Sequence, residues 1–165
     1  TYPTGKINRT TIWPYPESSN TQFVLNLIKN KADIGLALDS KKLTNSLEVT
    51  VSVASTRNYN QYNLVVYLVE DKLYHDQTNY TPYYNGSDPI VGFEHNNVLR
   101  TVLTDIFGDK AYPEDNEFNK TYAIGTPSNI SNMDNVKIVA FVLDINGSVL
   151  NAQVAKLGEK KDFEN

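Results

Sequence analysis

Two apolar runs dominate the pattern of the chain, residues 62–70 (YNLVVYLVE) and 136–145 (VKIVAFVLDI). Their length and Val content, with two Tyr in the first, suit central strands, buried on both faces or lying inside a sandwich. Around them the period is two. Ile34, Leu36 and Leu38 fall on one side of a segment over 33–38. Leu47, Val49, Val51 and Val53 alternate with Glu48, Thr50 and Ser52. Joined by the polar turn over 40–45, these segments predict a hairpin. A one-residue slip would turn all four of those apolar side chains to water, so the register is well specified. A strand pattern resumes over 98–105 (VLRTVLTD), and a loop follows over 111–116. The next strand spans 118–124, with Phe118, Lys120, Tyr122 and Ile124 on one face. After a polar connector over 127–135, the second central run leads into Asn146-Gly147, the strongest short hairpin signal in the chain, and residues 149–156 pair back.

Three stretches break the pattern. Trp13-Pro14-Tyr15-Pro16 reads as an extended connector, because proline removes a donor and restricts its predecessor. Ser18 to Thr21 offers N-caps, and Phe23, Val24, Leu27 and Ile28 share one helical face. A helix over 20–31 is expected, with Lys29 and Lys31 near its negative end. Residues 71–97 are dense in turn formers (Pro82, Asn85-Gly86, Asp88-Pro89) and predict a long irregular segment, of a kind often functional or mobile. The charged residues 159–165 are expected to fray. The fold class that results is mainly β, an antiparallel two-sheet β-sandwich with one N-terminal helix. It divides into an N-terminal extension (1–32), the sandwich (33–158) and a charged tail (159–165).

Composition narrows the function classes. The 165 residues suit one domain, long enough to bury about two-thirds of its unfolded surface. Net charge is −4, and no Lys/Arg stripe stands out, so no nucleic-acid partner is expected. The chain has no Cys, which excludes a dithiol centre, a disulfide framework and a Cys-ligated metal within it. No apolar run approaches the ~20 residues of a membrane-spanning helix. The chain starts at Thr1-Tyr2-Pro3 without Met, as expected of a processed or trimmed product, so a missing targeting signal is uninformative. Eleven Tyr stand against six Phe and one Trp, a balance that favours half-buried sheet faces and wet binding surfaces.

Three constellations could carry chemistry. Tyr74, Tyr80, Tyr83, Tyr84 and Phe93 gather aromatic faces among Asn, Asp and Ser in the long segment, a composition that stacks on sugars or peptide and hydrogen-bonds their edges. The bland alternative is that these rings tie the segment down onto the sandwich. Asp71, His75, Asp76, Glu94 and His95 hold metal-ligating types, but their spacing is irregular. His95-Asn96-Asn97 reads more simply as turn hydrogen bonding into the next strand. No metal and no cofactor are expected. Ser, His and Asp all occur, but no GxSxG elbow does, and no catalytic residue is assigned. Arg100 lies mid-strand and needs a carboxylate, for which Asp105 or Asp109 is the expected partner.

Several stretches taken together resemble a known family. They are Tyr2-Pro3-Thr4 with Ile7-Asn8-Arg9, NLVVYLVED over 63–71, HNNVLR over 95–100, DIFGD over 105–109, and Asn146-Gly147 followed by VLNAQ over 149–153. The chain is similar over most of its length to the twenty-eight-kilodalton outer-membrane-protein family of the Bacteroidetes. That resemblance implies an envelope lipoprotein in which a thioredoxin-like part precedes a β-sandwich. On it, Tyr2-Pro3-Thr4 looks like a cis-proline segment, residues 5–31 like the end of the thioredoxin-like part, and a redox pair would lie before Thr1. The expected function is a non-enzymatic, outer-membrane-associated or surface-exposed binding module for a protein or glycan. The alternative is an accessory domain of a thiol-disulfide protein.

Overall fold

The computed structural model describes residues 5–14, 19–28, 32–59 and 61–163. The expected cis-proline segment at Tyr2-Pro3-Thr4 and the lysines at 29 and 31 lie outside them. A small N-terminal hairpin, β1 (Lys6–Ile7) and β2 (Thr11–Ile12), precedes the helix α1 (Thr21–Leu25). Strands β3 (Ile34–Lys42) and β4 (Ser46–Ser55) form the predicted hairpin, with Leu36 opposite Val53 and Leu38 opposite Val51. Next come β5 (Tyr62–Glu70), β6 (Leu73–Gln77), β7 (Ile90–His95), β8 (Val98–Val102) and β9 (Asp109–Ala111). The chain ends with β10 (Glu117–Gly125), β11 (Val136–Leu143) and β12 (Val149–Lys156).

Two antiparallel sheets make the sandwich. One runs β10-β4-β3. The other runs β12-β11-β5-β8, with β9 also paired to β5. The two central runs are neighbours, Val136 opposite Glu70 and Phe141 opposite Val65. Alternation supplies the core. Ile34, Leu36, Leu38, Leu47, Val49, Val51 and Val53 from one sheet meet Leu64, Val66, Leu68, Ile138, Ala140 and Val142 from the other, all buried. Each such Val, Leu or Ile contributes roughly 1.5–3 kcal/mol by leaving water.

The second sheet is apolar on its other face too, which explains why β5 and β11 show no alternation. Val65, Phe141 and Leu143 are buried there, with Tyr67, Val139 and Val149 packed around them. Tyr67 meets Phe141 edge to face at 5.2 Å. The N-terminal hairpin covers part of this face. Arg9 lies 5.5 Å above the Phe141 ring, and Asn8 O accepts from Val149 N.

Three expectations are corrected. The helix is five residues long and buries none of them, and Leu27 and Ile28 stay exposed. A helix without a packed face has little to hold it beyond one turn. The tail does not fray as a unit. Lys161 and Leu38 exchange both backbone hydrogen bonds, at 2.7 and 2.8 Å, and the Phe163 ring fills the space above Gly35 where a Cβ would sit. Residues 71–97 are irregular only in part: β6 and β7 pair as a hairpin, Leu73 opposite His95 and Tyr74 opposite Glu94, around a loop over 78–89 that has no strand.

The place where that hairpin leaves the sandwich is fixed by a buried charge. Glu70, the last residue of β5, is 0% exposed. Its carboxylate accepts from Ser131 N at 2.9 and 3.1 Å and from Asn132 N at 2.6 Å. Arg100 Nε of β8 lies 3.1 Å from Glu70 Oε2. Arg100 therefore pairs with Glu70 and not with Asp105 or Asp109. Asp109 is taken by Lys120 at 2.6 Å, while Asp105 caps its own turn through Phe107 N at 2.9 Å.

Glu70→Ala strands the guanidinium and two amides, and is expected to cost about 3–5 kcal/mol in urea unfolding. A loss below about 1 kcal/mol would show that the carboxylate is not the anchor, since that is the range of an exposed pair.

Candidate functional site

The hairpin β6–β7 carries all five aromatic residues singled out in the sequence, but they do not form one surface. Neighbours along a strand point to opposite faces. Phe93 lies on one face, where the Tyr84 ring meets it edge-on at 5.9 Å and the His95 ring at 5.0 Å. Tyr74 lies on the other face, and its hydroxyl donates to Glu94 Oε2 at 2.8 Å. Tyr80 and Tyr83 stand at the tip, 92% and 71% exposed. Tyr74 and Tyr84 are exposed as well. Four of the five rings are thus exposed, and the half-buried Phe93 packs on Tyr84 and His95 within the hairpin.

What orders the tip is a side chain that the sequence reading missed. Asn79 Nδ2 donates to Tyr83 O at 2.9 Å and to Ser87 O at 3.0 Å. Its Oδ1 accepts from Thr81 N at 2.9 Å and Thr81 Oγ1 at 2.7 Å, and its own N–H donates to Asp88 Oδ1 at 3.0 Å. The signal was present, an Asn two residues before Thr in a turn-rich run, as in an Asx turn. This network holds Tyr84, Asn85 and Gly86 at φ of 59°, 57° and 68°. For a bulky residue such as Tyr84 a positive φ costs of order 1–3 kcal/mol and persists only where the surroundings over-determine it.

The root of the hairpin is equally well tied. Asp71 Oδ1 accepts from Asn97 N at 2.8 Å, and Asp71 Oδ2 lies 2.7 Å from Lys137 Nζ. Asn96 Oδ1 accepts from Lys72 N at 2.9 Å. The expected turn role of His95-Asn96-Asn97 is thus met. The carboxylates of the metal-type constellation are each engaged elsewhere. Asp76 accepts from Gly92 N, and Glu94 accepts from Tyr74 and from Asn96. The His75 and His95 ring centroids are 6.4 Å apart, and among the described residues no group of three or more His, Cys, Asp or Glu could hold a metal.

These contacts set the local acidities. The hydrogen bonds from Asn96 and then Tyr74 hold the Glu94 carboxyl below its ordinary value. Burial pushes the Asp71 carboxyl up, but the Lys137 ammonium and the Asn97 N–H together outweigh it and hold it below the usual range.

The family described as outer membrane protein Omp28 matches residues 1–161. The chain belongs to the Omp28 family. It is accordingly a cell-envelope protein of outer-membrane type. No curated protein matches it. Among solved structures, HBP35 of Porphyromonas gingivalis is 17% identical with a TM-score of 0.64, the likeness covering 86% of this chain and 46% of that one. A domain of the outer membrane lipoprotein Omp28 from Porphyromonas gingivalis is 23% identical with a TM-score of 0.51, over 77% of this chain and 89% of that one. At these identities the two structures speak for the fold. The chain spans less than half the length of HBP35. No helix of the Omp28-family chain is long and apolar enough to cross a membrane, among the described residues.

A carboxyl held below its unfolded value stabilises the fold above that value, and the stabilisation is lost as pH falls through the lowered one. Asp71 is therefore expected to loosen its hold on the hairpin root progressively as pH falls below about 4, the ordinary aspartate value, toward its own lower one. Amide exchange at Asn97 measured from pH 6 to pH 3, corrected for intrinsic rates, should show protection lost there. Protection unchanged down to pH 3 would remove Asp71 from this role.

Proposed function

We propose that this protein is a non-enzymatic, lipoprotein-type envelope domain that binds a protein or glycan at the cell surface through the tip of β6–β7. The observation that carries the reading is the pair Tyr80 and Tyr83, open to water on a backbone pinned by Asn79. Burying exposed rings at a partner surface gains apolar area, and a pinned backbone has little ordering entropy left to lose on binding. The strained Tyr84 beside them is a feature that clusters at ligand clamps. Asn, Asp and Ser at the ring edges supply donors and acceptors for hydroxyls or peptide groups.

The double variant Tyr80→Ala/Tyr83→Ala is expected to unfold within about 0.5 kcal/mol of the wild type, as for other surface changes. It should lose binding on glycan arrays and in pull-downs from envelope fractions. A variant that binds as the wild type does, or a wild type silent in both assays, overturns the reading.

A second reading is an accessory domain of a thioredoxin-like thiol-disulfide protein. It draws on the 46% coverage of HBP35, which leaves more than half of that protein outside the likeness. The gene product that contains this chain would then carry a Cys pair upstream and reduce insulin disulfides in vitro. A product without that pair ends this reading and leaves the first one standing.

A further inference from the structure

The strand edges of the sandwich are treated unequally. Along β3 and β12 the two sheets are stitched together. Asn151 Nδ2 donates to Ile34 O at 2.7 Å, Gly158 N donates to Ser40 Oγ at 2.9 Å, and Lys161 pairs with Leu38. Strand β8 shifts register against β5, and its Arg100 carbonyl accepts from Asn129 at 2.8 Å. Bulges and coverings of this kind blunt edges.

Past its first residue, Glu117, which exchanges both backbone hydrogen bonds with Glu114, strand β10 has none of them. It runs nine residues in unbroken register with β4, without proline. At its ends Asn116 O accepts from Ser55 N, and Thr126 N donates to Asn45 O. The even-numbered residues therefore turn their backbone groups to β4, and the odd-numbered ones turn theirs away. The N–H and C=O of Asn119, Thr121 and Ala123 point out of the sheet, and among the described residues no strand pairs with them. All three residues are exposed.

One protective device remains to be weighed, an inward-pointing lysine. Lys120 is in that position, but its ammonium lies 2.6 Å from Asp109 and 5.0 Å over the Tyr122 ring. Its charge is already matched, so it does not guard the edge.

We propose that β10 pairs antiparallel with β10 of a second copy about a two-fold axis through Thr121. In that register the outward-pointing backbone groups of Asn119, Thr121 and Ala123 all meet another one, while those of Glu117 stay with Glu114. Phe118 faces Ile124 of the second copy, Asn119 faces Ala123, and Lys120 faces Tyr122. No like charges oppose each other. Phe118 and Ile124, both only half-buried at the rim of the core, cover one another. An axis at Asn119 sets Phe118 against Lys120. An axis at Ala123 leaves Phe118 and Lys120 without partners inside the strand. The product is a continuous six-stranded sheet with an isologous interface, which closes and does not propagate.

Sedimentation equilibrium and hydrogen exchange on the full chain test this. The wild-type mass is expected to rise from monomer to dimer between micromolar and several hundred micromolar protein. The amides of Asn119, Thr121 and Ala123 should slow in step with it. Thr121→Lys sets two ammonium groups opposite each other on the axis and should weaken the dimer several-fold. In dilute solution it should melt within a few degrees of the wild type, having lost the exposed 2.8 Å hydrogen bond between the Thr50 and Thr121 hydroxyls, as Thr121→Val also does. Thr121→Val keeps an uncharged β-former there and should still dimerise. A wild type that stays monomeric, a dimer whose three amides exchange at the monomer rate, or a Thr121→Lys variant as dimeric as the wild type each overturns the proposal.

Discussion

A single carboxylate with no contact to water decides how the parts of this molecule meet. Glu70 closes β5 and receives the amides that begin the path into β11, while Arg100 approaches it from β8. A charge so deeply placed is costly to desolvate, and it is tolerated only because an opposite charge and two amides converge on it. That convergence forces three segments, far apart in sequence, to end at one point. The hairpin β6–β7 starts there, so its direction is inherited from the ion pair and not from its own packing. Asp71, the next residue, extends the arrangement outward through Asn97 and Lys137.

The stretches that carry the family resemblance turn out to be this framework. HNNVLR supplies the two asparagines of the hairpin root and Arg100. DIFGD is a self-capped turn in which Gly108 sits at φ 93°, where an added Cβ would come within 3.0 Å of Asn63 Cβ and Val65 Cγ2. VLNAQ contains Asn151, whose amide reaches the carbonyl of Ile34 across the two sheets. The motifs that carry the resemblance thus build the scaffold, and the exposed aromatic tip is not among them, although the Omp28 family match runs over residues 1–161. This is why the family speaks to architecture and compartment while the partner is argued from the tip.

Much of the fold was legible because burial writes a period into sequence. Alternation over 33–53 gave the β3–β4 hairpin and its register, and the unbroken apolar runs gave two strands covered on both sides. Residues 71–97 were illegible for the opposite reason. LYHDQ and IVGFEH have water on both faces for most of their length, so no period marks them, and side chains at the root hold them together. The helix was over-read, because apolar residues at helical spacing say nothing of whether a face exists to receive them. The partner of Arg100 lay thirty residues away across a strand pair, where nearness in sequence is no guide. The aromatic residues were legible as a cluster in the sequence, but their division between two faces and a tip depended on the pairing of Tyr74 with Glu94.

The tip stands on Asn79 and on the root, and the sandwich core has no share in it. Replacement of a ring there removes no core contact, so the usual stability penalty that restrains evolutionary change is absent. Sequence drift among relatives can therefore run fast at these few positions while the two sheets stay fixed. An envelope protein built in this way is able to change its exposed tip without refolding anything.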